Sequence, residues 1–141
     1  MATERLLVAG LVAAGLSACG FSPLMNQLAV GQIPIIVMVG EASNGYTELF
    51  ASHSAGGQVT RLTYTPHVEW SPKLAGSGGL LLFLRQRTAG DTSAANAVVM
   101  NLLSGNERLI ELPKSAGRPL GVAWALDESA IFIRTATGTW Q

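Results

Sequence analysis

Past residue 30, glycine and proline cut the chain into short apolar runs rich in β-branched side chains, and no stretch carries a helical repeat of useful length. Nothing else in the sequence restricts the fold so strongly. Such runs have the ordinary length of strands, and the breaks between them are turn residues. Expected strands cover 33–39, 46–52, 58–63, 68–70, 79–85, 97–102, 108–112, 122–125 and 130–135. The turns carry Asn44-Gly45, Gly56-Gly57, Gly76-Ser77-Gly78-Gly79, Ser104-Gly105 and Asp127-Glu128. These residues supply positive φ or an Asx-type bond. Alternation in "VTRLTYT" predicts a half-buried strand, whereas the continuous "LLLFL" and "IFI" predict strands buried on both faces. The fold class is mainly β, with open antiparallel sheets.

The run from Gly56 to Thr88 matches in order the run from Ser104 to Thr137. Each reads as a Gly turn, an Arg-Leu strand, a Pro-containing connection, a V-x-W strand, a turn, and a hydrophobic strand ending in Arg. Arg61-Leu62 aligns with Arg108-Leu109, Trp70 with Trp124, and Leu82-Phe83-Leu84 with Ile131-Phe132-Ile133. The segment 35–39 and "NGYTELFASHSAGG" fit an earlier half-copy. At Arg61-Leu62-Thr63, Trp70-Ser71-Pro72, 81–84 and 98–101 the chain resembles the TolB-like (PD40 or WD40-like) family of β-propeller repeats. The resemblance covers about residues 33–141. It departs from the family pattern at Lys73, where Asp is usual, and at Ala125-Leu126, where Ser and Pro are lost.

A blade takes four strands and a propeller closes with four to eight blades. Nine or ten strands make little more than two blades, so the resemblance implies an open array. Its faces and edges need covering.

The N-terminus carries a different signal. Residues 6–25 hold no charge, and "LLVAGLVAAGL" has the length of a signal-peptide h-region. Leu16, Ser17, Ala18 and Cys19 then resemble a bacterial lipobox: an aliphatic residue, two small residues and the cysteine whose thiol takes the lipid. In the preferred reading Cys19 is lipidated and residues 1–18 are removed. In a second reading residues 6–25 stay as a hydrophobic helix, whose twenty residues at about 1.5 Å each span a bilayer core. In a third the segment is a buried helix. The organisation is then a signal peptide or anchor over 1–25, a linker over 26–32 and a β domain over 33–141. Both leading readings put the β domain on the periplasmic side of a bacterial inner membrane.

Charged residues are only 13% of the chain against 48% apolar, and nine Lys+Arg balance nine Asp+Glu. No basic field would hold nucleic acid, and a surface with few charges implies a protein partner. One cysteine excludes an intrachain disulfide and the Cys-rich zinc patterns. His53 and His67, the only histidines, show no ligand spacing and read as surface or loop residues, although Glu48 or Glu69 could join them at a metal. Gly76–Gly79 lacks the Lys-Ser/Thr of a phosphate loop and reads as a hairpin turn. No Ser sits in a G-x-S-x-G elbow. No catalytic residue, metal or cofactor is expected.

Trp70 and Trp124 read as equivalent packing residues. Trp140 is a candidate interface anchor or a packing residue of its own domain. Phe21 and Met25, just past Cys19, are candidates for the lipid–water interface or for neighbouring helices. The function expected is a non-catalytic anchored extrinsic subunit that stabilises a larger integral membrane complex, with respiratory and photosynthetic complexes as analogies. The alternatives are a periplasmic TolB-like protein-binding module and, further off, an enzyme on a β scaffold.

Overall fold

The computed structural model describes residues 28, 30, 32–43, 45–86, 91 and 94–141. The expected N-terminal helix lies outside them. Half of the described residues are in strands, and the one helical element among them is a single 3-10 turn at Lys114–Ala116.

Among the described residues ten strands form three antiparallel sheets, none closed on itself. The first sheet has β1 (Ile35–Glu41), β2 (Thr47–His53) and β3 (Thr60–Arg61). The middle sheet has β4 (Glu69–Leu74), β5 (Leu80–Gln86), β6 (Ala95–Asn101) and β7 (Glu107–Ile110). The third has β8 (Pro119–Trp124), β9 (Ile131–Thr135) and β10 (Thr139–Trp140). Within each sheet the strands pair in sequence order. Short turns allow only such pairings, and the turns are those the sequence announces: Gly45, Gly56, Gly57, Gly78, Gly105 and Glu128 all have positive φ.

The sheets stack as layers. One core lies between the first and middle sheets, built from Leu49, Ala51 and Leu62 against Leu81, Phe83, Val98 and Met100, with Leu28 in the same cluster. A second lies between the middle and third sheets, built from Leu82, Leu84, Ala97 and Val99 against Val122 and Ile133. Among the described residues only the middle sheet has both faces covered. Leu81, Leu82, Phe83 and Leu84 are accordingly 0% exposed, as the continuous run "LLLFL" predicts. Burial of each such side chain contributes roughly 1.5–3 kcal/mol.

The run "IFI" behaves otherwise. Ile133 is buried, but Phe132 is 37% exposed, because no further sheet among the described residues covers the outer face of β9. An apolar run shows that a strand has two apolar faces, not that both are covered.

The internal repeat is present with a different register. In the middle sheet Ala75 N–H donates to Leu80 O and Gly78 N–H to Ala75 O. In the third, Ala125 N–H donates to Ala130 O and Glu128 N–H to Ala125 O. The two hairpins therefore superpose Leu81-Leu82-Phe83 on Ile131-Phe132-Ile133, one residue away from the match read from the sequence. Leu74, opposite Leu81, is the counterpart of Trp124, opposite Ile131. Trp70 and Trp124 are thus not equivalent, although both pack against the second core. Both hairpins carry a bulge in their first strand, between Trp70 and Lys73 and between Pro119 and Gly121, so the counterpart of Trp70 is Leu120 and the V-x-W motif stands four residues nearer the turn in the second copy. Ser71 has φ 57° and Pro72 has no N–H to give the ladder.

Candidate functional site

Two features stand out: a buried polar network at the junction of the first two sheets, and the faces at the two ends of the stack that the described residues leave uncovered.

The network starts from carboxylates at the beginnings of two strands. Glu48 of β2 and Glu69 of β4 are both 0% exposed. A buried carboxylate must be paired and hydrogen-bonded. Glu48 Oε1 accepts from Arg61 Nη2 at 2.5 Å and from the Thr65 N–H at 3.2 Å. Glu69 Oε1 accepts from Arg85 Nε at 2.6 Å and from Thr65 Oγ1 at 3.0 Å, and Glu69 Oε2 accepts from Thr63 Oγ1.

Arg85 lies over the Phe83 ring at 5.2 Å and donates two further bonds to Glu107, at 2.6 and 2.8 Å. Thr47 Oγ1 closes the other side, donating to Glu69 O at 2.8 Å and accepting from Glu69 N–H at 3.0 Å. Leu62 N–H still donates to Leu49 O, and past it Thr63 and Thr65 turn away to make these contacts, so β3 covers only part of the expected 58–63 strand. Thr63 Oγ1 also accepts the Leu49 N–H at 2.9 Å.

Burial pushes the Glu69 carboxyl above its ordinary pKa, against the opposing pull of Thr63, Arg85 and Thr65. Arg61 is held above its usual value by its bond to Glu48. Burial opposes the charge on Arg85, but Glu107 and Glu69 outweigh it and its pKa is raised. Both guanidiniums stay charged. The arrangement ties two sheets together through charge-assisted bonds, and Glu69 presents no atom to solvent. The signal in the sequence was a lone glutamate in each of "YTELF" and "VEW", beside apolar residues and with an arginine on a neighbouring strand.

The end faces are apolar. On the first sheet, the side away from the middle sheet carries Ile36, Met38 and Phe50, with Ile36 51% exposed. The Phe50 ring lies over Gly40, where a Cβ would come within 2.8 Å of it. On the third sheet the outer side carries Ala123, Phe132 and Arg134, with exposed Leu120 at its edge.

Trp140 lies opposite Ile133, which places it on the packed side of the third sheet rather than the open one. It is half-buried, and its Nε1 has no hydrogen-bond partner among the described residues. Leu16, Ser17, Ala18, Cys19, Phe21 and Met25 lie outside the described residues. The histidines are held apart. His67 stands two residues before Glu69, which bonds Thr47 at the start of β2, whereas His53 ends that strand. Six residues at about 3.3 Å each separate those ends by roughly 20 Å. Among the described residues no three His, Cys, Asp or Glu side chains group to hold a metal, and no helix is long and apolar enough to cross a membrane. Searched against models of known protein families the chain matches none, and no curated protein matches it significantly.

Proposed function

We propose that this chain is a non-catalytic, membrane-anchored extrinsic subunit on the periplasmic face of a bacterial inner membrane, where it stabilises a larger protein assembly. The observation that carries this reading is the pair of apolar sheet faces that the described residues leave uncovered, at Ile36, Met38 and Phe50 and at Phe132 and Leu120. Faces of this kind mark interaction surfaces. The polar network keeps the first two sheets in fixed relation, so the stack presents its ends as rigid surfaces. The segment around Cys19 supplies the anchor, through a lipid on its thiol or as a retained helix. The same three-sheet stack is in keeping with a partial TolB-like propeller, and so with a protein-binding module of that kind.

Extraction of native membranes tests this. The chain should resist salt and leave the membrane only with detergent, together with a partner. Intact mass should report loss of residues 1–18 and gain of lipid, which Cys19→Ser abolishes, or a retained N-terminus. Release without detergent and without any partner would end the proposal.

A further inference from the structure

The two end faces are complementary in kind. In the stack, the side of each sheet bearing Leu82 and Leu84 packs on the side of the next sheet bearing the counterparts of Leu81 and Phe83. That contact occurs between the middle and third sheets, and its analogue occurs between the first and middle sheets. The hairpin register makes Phe132 the counterpart of Leu82 and Arg134 the counterpart of Leu84. The free face of the third sheet is therefore the type that a following sheet covers. The free face of the first sheet is the type that a preceding sheet covers. We infer that a second copy of this chain supplies both covers: two copies associate head to tail, the third sheet of each against the first sheet of the other.

Arg134 is exposed and makes no ion pair among the described residues, at the position where the middle sheet has the buried Leu84. Two copies bring six sheets, within the four to eight at which radial sheet arrays close. Contacts of this type use different patches on the two partners, and they end in a finite pair only when the rotation closes. The inference rests on the proposed reading that the end faces are binding faces, and it names their occupant.

The test is the mass of the full chain in mild detergent, by native mass spectrometry and light scattering, for wild type, Phe132→Asp and Ile36→Asp. Each substitution adds a charge at an exposed position and should leave circular dichroism unchanged. Wild type should be a dimer, and each variant should dissociate at least tenfold more readily. An equimolar mixture of the two variants should regain association, because the intact third sheet of Ile36→Asp meets the intact first sheet of Phe132→Asp. Failure of the mixture to associate, while wild type dimerises, would show a face-to-itself contact and overturn the head-to-tail arrangement. Longer oligomers would overturn closure. A monomer that co-purifies with a different membrane protein would overturn the second copy and leave the proposed function standing. A monomer that also leaves the membrane without detergent would overturn both.

Discussion

Arg85→Met tests the network where its charge is most deeply committed. The substitution keeps an apolar stem over Phe83 and removes three donated bonds, one to Glu69 and two to Glu107. The Glu107 half is partly solvated, so its loss costs at most about 1 kcal/mol. The Glu69 half is different, because that carboxylate is 0% exposed. Removing one partner of a buried pair costs about 3–5 kcal/mol. Thr63 and Thr65 still donate to Glu69, and the carboxyl can take up a proton, so the low end of that range, about 3 kcal/mol near neutral pH, is expected.

The pH dependence has a fixed sign. Loss of Arg85 raises the folded-state pKa of Glu69 further above its unfolded value. The folded state then binds the proton more tightly, and stability falls as pH rises through that window. The deficit of Arg85→Met should therefore shrink on acidification. Urea unfolding followed by tryptophan fluorescence is the assay, since urea leaves ionic strength unchanged. With a slope of about 1–3 kcal/mol per molar, the midpoint should fall by at least about 1 M. Adding Glu69→Gln removes the stranded charge and should recover more than half of the loss. A midpoint shift below about 0.3 M, or a double variant no better than the single one, would refute the claim that Glu69 depends on Arg85.

Glu69→Gln alone should flatten the pH profile: wild-type stability falls as pH rises from the ordinary carboxylate range through the raised pKa of Glu69, and titration of unfolding free energy should show no such fall in the variant. Gly40→Ala forces a Cβ to within 2.8 Å of the Phe50 ring and should cost about 1–2 kcal/mol in urea, with Phe50→Leu relieving most of it. Phe83→Ala opens a hole in the first core, beneath Arg85, and should cost about 3–5 kcal/mol by the same measurement.

The strands were legible because half-buried and fully buried strands write their periodicity directly into the sequence. β4 was read too short because Pro72 argues against a ladder, and the bulge at Ser71 that accommodates it has no sequence signature apart from the proline itself. β10 escaped because two residues carry no period. The aligned tryptophans misled for a related reason. A motif match fixes residue types, whereas the hairpin hydrogen bonds fix which residue faces which core, and the motif stands four residues nearer the turn in the second copy. The Glu48 and Glu69 network was missed because its partners are scattered over residues 47–107 and meet only when the sheets stack. His53 and His67 were open to a shared site in sequence, and β2 holds them at opposite ends.

Leu82 and Phe132 separate folding from association. They occupy the same place in two hairpins with identical turn bonds. Leu82 is 0% exposed under the third sheet, so replacing it with Asp would bury an unpaired charge and undo the stack. Phe132 has no such cover within the described residues, so the same replacement there adds a charge to an already exposed position. If Phe132 served only to hold its own sheet, its loss would register in stability. If it serves a surface that another molecule covers, its loss registers in assembly while the fold stays intact. The position thus carries the aromatic character of a core residue without the burial of one, and the Phe132→Asp comparison of stability with assembly decides which of the two it serves.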